Sequence, residues 1–171
     1  GDREDAIEYS KLLCATGGFA RTFSEEQARY HRGFWIPGTD LPNVFPVRVP
    51  EDTAAIERAL EPFKGADRSD ANSARVVIMG SSFIGMEVAS YLAMTKKVAD
   101  ITVLGMETEP FERVLGPEIG RAMRRMFEEL GGVKFRMGVK VTEFTRGRRG
   151  KGVGYVHFDG ERLAAAAGIV G

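Results

Sequence analysis

The clearest hydrophobic pattern lies in the middle of the chain. The run "ARVVIMG" (74–80) is apolar and rich in β-branched residues, which predicts a buried strand. From Phe83 to Thr95 the apolar residues follow helical spacing, with Ile84, Val88 and Leu92 on one face. A second apolar run, "ADITVLG" (99–105), predicts another buried strand. Strand, helix and strand within about 30 residues make a βαβ unit, in which the strands are parallel and the crossover is right-handed.

The later pattern predicts one more helix and an antiparallel sheet. Residues 117–130 are amphipathic and end at Gly131-Gly132, and "VKFRM" (133–137) predicts a short strand. The runs "KVTEFTR" (140–146) and "GYVHFDG" (154–160) predict a hairpin, and "AAAAGIVG" (164–171) begins a further strand. The inward face predicted for the helix consists of Ile119, Met123, Met126, Phe127 and Leu130.

The first third of the chain has weaker patterns. The run "YSKLLCAT" (9–16) predicts a short strand that ends at Gly17-Gly18, with Cys14 buried inside it. Residues 19–45 carry turn signals and little periodicity, which is typical of a crossover. A helix is predicted over 50–60 with Asp52 or Thr53 as its cap, and the small polar residues 64–74 predict a surface loop.

Composition narrows the possible functions. The 24 basic and 24 acidic residues cancel, and no apolar run approaches the ~20 residues of a membrane helix, so we expect no nucleic-acid or membrane partner. The basic run "GRRGKG" (147–152) therefore indicates a solvated hairpin tip. One cysteine and two distant histidines build neither a disulfide nor a metal site. No signal-peptide pattern opens the chain, and we expect an intracellular protein, with mitochondrial and cytoplasmic locations left open.

The first strand and the helix of the βαβ unit are joined by "GSSFIG" (80–85). Gly80 permits a tight turn, Gly85 lets the helix pack closely on the sheet, and the free N–H groups of the first helical turn point at a phosphate. Ser82 stands where the usual dinucleotide fingerprint has a glycine, and its hydroxyl can donate to phosphate. A dinucleotide site is predicted, with a plain strand-to-helix turn as the alternative. The residues of this predicted site are Gly80, Ser81, Ser82, Phe83, Ile84 and Gly85.

A dinucleotide site also needs an acid near the end of the second strand, where it accepts hydrogen bonds from the ribose. Gly105 occupies the usual place of that acid, and Glu107 follows two residues later. Glu107 and Glu109 would repel a 2′-phosphate, which favours NADH over NADPH, while Arg113 leaves the choice open. A solvated loop acid is the alternative interpretation of Glu107.

Four longer stretches carry a family resemblance. They are "YSKLLCATGG" (9–18), "IPGTDLPNVFPVRVPEDTAAI" (36–56), "VVIMGSSFIGMEVASYL" (76–92) and "EPFERVLGPEIGRAMRRMFEELGGVKF" (109–135). In sequence and order they resemble the pyridine nucleotide-disulfide oxidoreductases, flavoprotein reductases that bind FAD and NAD(P)H. The chain is most similar to the apoptosis-inducing factor branch and its Rieske-associated, apoptosis-inducing factor 3-like members. A serine at the middle position of the fingerprint is familiar from that branch, so the resemblance implies that nucleotide binding is retained.

Patterns and resemblance together predict an α/β fold, a Rossmann-like NADH-binding domain with a parallel sheet plus a small antiparallel β-meander. The resemblance implies a partial FAD-domain segment and crossover over 1–45, the NAD(H)-binding domain over 46–162, and the start of a return strand to the FAD domain over 163–171. Most of the FAD domain would lie outside this chain, and we expect the 171 residues alone to be inactive.

The resemblance also implies roles for single residues. Glu87 and Phe83 match positions near the nicotinamide, Glu107 matches a ribose-binding acid, and Arg113 matches a basic residue that helps to hold NADH. Three further matches concern the flavin side. They are Thr16 and Gly17, in a turn packed near the flavin, and Gly171, at the return to the FAD domain.

Gly105 and Ala166 depart from the family, which usually carries an acid at each position, so the expected NADH preference rests on Glu107. The resemblance implies an enzyme that passes hydride from NADH to FAD and electrons on to an iron–sulfur acceptor. NAD(H) and FAD are the expected cofactors, and no residue is an evident acid–base catalyst or metal ligand. The alternative is a non-enzymatic, apoptosis-inducing-factor-like interaction module with a vestigial nucleotide site.

Overall fold

Helices and strands alternate along most of the chain. The computed structural model describes residues 7–18, 22–31, 35–63, 74–96, 98–147 and 152–171. A short 3₁₀ turn, Glu61–Phe63, follows the second α-helix. In chain order the elements are α1 (Glu25–His31), β1 (Val44–Pro46), α2 (Pro50–Leu60), β2 (Arg75–Met79), α3 (Phe83–Thr95), β3 (Asp100–Gly105), α4 (Glu112–Gly131), β4 (Lys134–Met137), β5 (Val141–Arg146), β6 (Val153–Phe158), β7 (Glu161–Ala164) and β8 (Ala167–Val170).

The strands form two sheets. Five parallel strands lie in the order β1-β8-β2-β3-β4, and β5-β6-β7 form a separate antiparallel sheet. In the parallel sheet Val76 lies opposite Ile101 of β3 on one side and Ala167 of β8 on the other. The last strand of the described residues, β8, is an interior strand of this sheet, between β1 and β2. This arrangement confirms the predicted α/β fold with a parallel sheet and a small antiparallel meander.

Successive side chains of β2 are buried on opposite faces of the parallel sheet, as the two-residue period of a strand requires. Ile78 packs with Met86 and Leu92 on the side of α2 and α3. Its neighbour Val77 packs with Phe144 on the side of the antiparallel sheet. The fold thus has three layers, with helices on one face of the parallel sheet and the meander on the other.

The βαβ unit matches its prediction closely, since β2, α3 and β3 occupy the predicted residues. Of the three apolar residues predicted to share one face of α3, Leu92 is buried, Val88 is partly buried against the core and Ile84 is exposed. The helix instead buries Gly85 and Met86. Gly85 must face the sheet because its backbone contacts Gly80, and this contact sets the rotation of the whole helix.

Helix α4 is longer and less buried than predicted. It begins at Glu112 and kinks at Gly116, whose φ of 79° and ψ of 164° are not helical, before the predicted start at residue 117. The predicted inward face was right for Met123 and Phe127, which pack on the core. The positions that were wrong are exposed, and they are Ile119, Met126 and Leu130.

Helix α4 packs closely on the preceding loop at Gly120. A Cβ added at Gly120 would lie 2.4 Å from the carbonyl oxygen of Pro110. The helix backbone therefore lies directly against the preceding loop at this point. The neighbouring residues Ile119 and Arg121 are exposed.

The strand predicted over 9–16 was wrong, because residues 7–18 form neither helix nor strand and are exposed. Cys14 is exposed as well, contrary to its predicted burial. A strand needs a hydrogen-bonded neighbour, and no strand of the described residues pairs with this segment.

The crossover predicted over 19–45 contains α1 and the start of β1. Of the predicted loop at 64–74, residues 64–73 lie outside the described residues, as do 148–151 of the predicted hairpin tip.

Asp52, one of the two residues predicted to cap α2, contributes to the capping of its first turn. Val49 is the N-cap residue, in extended conformation, and its side chain cannot accept a hydrogen bond. The Asp52 carboxylate instead accepts from the N–H groups of Arg48, at 2.7 Å, and Val49, at 3.0 Å. Asp52 thus closes the first turn from inside the helix, which is half of a capping box.

We expect Asp52→Ala to lower the free energy of unfolding by about 1 kcal/mol, because two amides at the helix start lose their acceptor. Thr53→Ala, at the exposed neighbouring position, is the matched control. Differential scanning calorimetry of both variants measures the effect. Equal melting temperatures for the two variants would show that the Asp52 carboxylate does not stabilise the helix.

Candidate functional site

The candidate site lies at the carboxyl edge of the parallel sheet. The turn of residues 80–85 joins β2 to α3, Glu107 follows β3, and Gly171 follows β8. These three strands are neighbours in the sheet. Open parallel sheets bind their ligands at this edge, where the loops after the strands converge.

Three glycines hold the turn against the sheet. Gly80 has a φ of 119°, and a Cβ there would lie 2.3 Å from the carbonyl oxygen of Gly171. A Cβ on Gly85 would lie 2.2 Å from the carbonyl oxygen of Gly80, and one on Gly171 would lie 2.8 Å from the amide nitrogen of Gly85. The backbone makes the tight turn predicted at Gly80 and the close helix contact predicted at Gly85. Larger residues at any of the three positions would push the helix away.

The first turn of α3 presents free backbone donors. Ser82 is the N-cap residue in extended conformation, and its carbonyl accepts from the Met86 N–H at 3.0 Å. Its hydroxyl makes no capping hydrogen bond and is exposed. In the described part of the chain, the N–H groups of residues 83–85 have no acceptor. These donors and the positive end of the helix dipole suit an anion such as a pyrophosphate.

Glu107 lies beside this turn with both carboxylate oxygens engaged. Its Oε1 is 2.5 Å from Arg113 Nε, and its Oε2 accepts a long hydrogen bond of 3.5 Å from Ser81 Oγ. The Glu107 side chain is 20% exposed and that of Arg113 is 72% exposed. The structure thus brings together Glu107, Arg113 and Ser81, three of the predicted site residues. A carboxylate held here can accept hydrogen bonds from a ligand hydroxyl, and the exposed Arg113 guanidinium leaves this carboxylate accessible from the solvent side.

Phe83 and Glu87 share one side of α3, since they are four residues apart, and both are exposed. The Phe83 ring makes an edge contact with Phe111, with 5.3 Å between centroids. Phe111 in turn donates its N–H to the carbonyl of Ser81 at 2.8 Å. The loop after β3 is therefore pinned to the glycine turn by both a ring contact and a backbone hydrogen bond.

Glu109 belongs to a different cluster from Glu107. Its Oε1 lies 3.4 Å from Arg121 Nε and its Oε2 lies 3.8 Å from Arg124 Nη1, so two cations of α4 balance its charge. The side chain is 12% exposed. Repulsion of a 2′-phosphate, predicted for Glu107 and Glu109 together, therefore rests on Glu107 in this geometry.

Thr16 and Gly17 lie in the exposed segment 7–18. In the described residues no hydrogen bond or ion pair connects either of them to the glycine turn. A Cβ on Gly17, whose φ is 77°, would have no atom within 4 Å. Their flavin-side role therefore stays a prediction.

Sequence reasoning missed Glu112, which fixes the loop between β3 and α4. Its carboxylate accepts from the Thr108 hydroxyl at 2.7 Å, the Thr108 N–H at 2.8 Å and the Glu109 N–H at 2.9 Å. These donors, the Thr108 hydroxyl foremost, hold the pKa of Glu112 below its ordinary value of 4.5. The sequence pattern that could have identified this contact is a threonine four residues before a glutamate at a helix start.

The described part of the chain contains no group of three or more histidine, cysteine, aspartate or glutamate side chains placed to hold a metal ion. None of its helices has both the length and the apolar character needed to cross a membrane.

Comparison with known proteins gives a consistent result. The family model of the pyridine nucleotide-disulphide oxidoreductases matches residues 1–171. Apoptosis-inducing factor 3 of Homo sapiens is 39% identical over 145 residues, which are 85% of this chain and 20% of that protein. The ferredoxin reductase component of chlorobenzene dioxygenase from Cupriavidus sp. (strain PS12) is 31% identical over 159 residues, 93% of this chain and 32% of that protein.

Solved structures agree with these matches. The covalent complex of putidaredoxin reductase with putidaredoxin superimposes with a TM-score of 0.70 at 28% identity, covering 96% of this chain and 35% of that chain. The chain thus spans only 20% and 32% of the lengths of the two curated relatives.

We expect the melting temperature of Glu112→Gln to fall less between neutral and acid pH than that of the wild type. A folded-state pKa below 4.5 means that Glu112 stabilises the fold above that value and that this contribution is lost as pH falls through the lower, native pKa. The melting temperatures of wild type and variant should therefore converge at the acid end of a series from about pH 3 to pH 7, the range in which carboxyl groups titrate. Glu118→Gln, at an exposed position of the same helix, is the control. Parallel melting curves for wild type and Glu112→Gln would contradict the assignment.

Proposed function

Because the chain belongs to the pyridine nucleotide-disulphide oxidoreductase family, we propose that it forms the NADH-binding unit of an FAD-dependent oxidoreductase. In the complete protein, hydride would pass from NADH to the flavin, and electrons would pass on to an iron–sulfur acceptor. The observation that carries the proposal is the joint position of the free α3 amides and the Glu107 carboxylate at one edge of the sheet.

The donors and the carboxylate at this edge fit the phosphates and the ribose hydroxyls of a dinucleotide. The contacts between Gly80, Gly85 and Gly171 bring the helix start to the sheet edge, so the amides of residues 83–85 would hold the pyrophosphate. Ser82, with an exposed hydroxyl that caps nothing, would add a donor to the same phosphate. When bound, the nicotinamide supplies the hydride, and this chain supplies position and electrostatics. Phe83 and Glu87 would lie on the nicotinamide side.

Glu107 would accept hydrogen bonds from the adenosine ribose. Its carboxylate contacts the glycine turn through the Ser81 hydroxyl. A second negative group, the 2′-phosphate of NADPH, would meet the same carboxylate and be repelled. Arg113 would offset part of this repulsion because it pairs with Glu107. We therefore propose a preference for NADH that is clear but not absolute.

The flavin would be bound mainly by residues outside this chain. Under this proposal residues 1–45 and 163–171 would lead to the FAD domain and residues 46–162 would hold NAD(H). The exposed apolar side chains Ile7, Leu12 and Leu13 support a partner for the segment before Thr16 and Gly17, since they are more than half exposed. The missing FAD domain of the same protein would cover them, and the 171 residues alone would be inactive.

Two relatives support an iron–sulfur acceptor. One is named as a ferredoxin reductase component, and another was solved as a covalent complex with putidaredoxin. The alternative, an interaction module with a vestigial nucleotide site, would be favoured by a turn that Ser82 blocks. Ser82 is exposed and does not cap the helix, which favours the enzyme.

We expect Glu107→Ala to weaken NADH binding about 10- to 100-fold, because the ribose hydroxyls lose a charged acceptor. The KM for NADH, measured by stopped-flow reduction of the flavin in the complete protein, reports the change. The rate at saturating NADH should fall much less than the affinity, since Glu107 does not lie near the reacting atoms in this proposal.

Glu118→Ala serves as a matched control, because it removes an exposed carboxylate from α4 at a distance along the chain from the glycine turn. Its KM for NADH should equal that of the wild type. A wild-type KM in Glu107→Ala would remove Glu107 from the site. Absence of flavin reduction by NADH in the wild type would refute the proposed function itself.

A further inference from the structure

The end of β3 has no room for a side chain. A Cβ added at Gly105 would lie 2.6 Å from Ser81 Oγ, 3.0 Å from Ser81 Cβ and 2.6 Å from Met137 Cε. Met137 Cε is the end of a flexible side chain and can move. Ser81 is 4% exposed and cannot move as easily. Ser81 is therefore the residue that keeps position 105 a glycine.

The backbone around Ser81 is fixed on both sides. The Ser81 carbonyl accepts from the Phe111 N–H at 2.8 Å, and the preceding Gly80 N–H donates to the Leu104 carbonyl at 2.9 Å. Rotation of the Ser81 hydroxyl would relieve the 2.6 Å contact with Oγ, but it would break the hydrogen bond from Ser81 Oγ to Glu107. The remaining contact with Ser81 Cβ, at 3.0 Å, needs a shift of only a few tenths of an ångström. The glycine turn and the end of β3 thus share one small space, which the Ser81 side chain fills.

The same hydroxyl contacts the carboxylate that follows. Ser81 Oγ donates to Glu107 Oε2 at 3.5 Å, a long hydrogen bond, while Arg113 contacts Oε1. Because Ser81 is buried, water does not compete strongly for this hydroxyl. One side chain therefore both excludes an acid from position 105 and contacts the acid at position 107.

We propose that Ser81 and Gly105 act as a coupled pair that selects Glu107 as the ribose acceptor and so determines nucleotide specificity. This inference rests on the proposed function and deepens it. Ser81 is a positioning residue, since it acts on the ribose through Glu107. Replacing Ser81 by alanine removes the donor and most of the obstruction at position 105. An aspartate at 105 should then fit, and its carboxylate would take over at the end of β3.

The test is a double-mutant cycle in the complete flavoprotein with Ser81→Ala, Gly105→Asp and the double variant. Ser81→Ala should fold normally and raise the KM for NADH about 3- to 10-fold, with little change in kcat, and should narrow the preference for NADH over NADPH. Gly105→Asp alone should lower the melting temperature markedly. The double variant should have a melting temperature close to that of the wild type and should again prefer NADH. The effects of the two substitutions on stability should therefore be non-additive.

Ser90→Ala, on the same helix and away from Glu107, is the control for replacing a serine, and its KM and melting temperature should match the wild type. An unchanged NADH KM and NADPH:NADH ratio in Ser81→Ala would overturn the positioning role. Equal destabilisation by Gly105→Asp with and without Ser81→Ala would overturn the coupled pair. Absence of flavin reduction by NADH in the wild type would instead refute the proposed function, and the melting temperatures would still decide the coupling.

Discussion

The close contact of three backbone segments at Gly80, Gly85 and Gly171 determines the geometry of the site. Each glycine lies where an added Cβ would be less than 3 Å from the backbone of another. The contact joins the end of β2, the start of α3 and the end of β8, and it brings the helix amides to the carboxyl edge of the sheet. It also sets the rotation of α3, so that Gly85 and Met86 are buried.

A second constraint acts on the loop after β3. Glu112 gathers three donors from Thr108 and Glu109, and Phe111 bonds to Ser81 and packs on Phe83. These contacts place Glu107 next to the turn with its carboxylate between Ser81 and Arg113. The two constraints together place a helix start with free N–H donors next to a carboxylate. That pair of groups is what a dinucleotide with a free ribose 2′-hydroxyl requires.

The local sequence pattern was sufficient to predict the βαβ unit, because an apolar, β-branched run indicates a buried strand and a helical period indicates a helix. Burial was harder to predict, since it depends on which face meets the rest of the fold. Ile84 and Leu130 have helical spacing but lie outside the contact areas of their helices. The apolar run over 9–16 has no neighbouring strand in the described residues and stays exposed. For the site, spacing pointed to Glu107, but the contacts of Ser81 and Glu112 depend on side-chain geometry that spacing does not encode.

We propose that one edge of the sheet holds NADH in preference to NADPH. Isothermal titration calorimetry of the complete protein with each nucleotide tests it most directly. We expect saturable NADH binding with one site per chain, and weaker but measurable binding of NADPH. Equal affinity for the two nucleotides would contradict the role of Glu107, and no heat with either one, from a folded sample, would contradict the site as a whole.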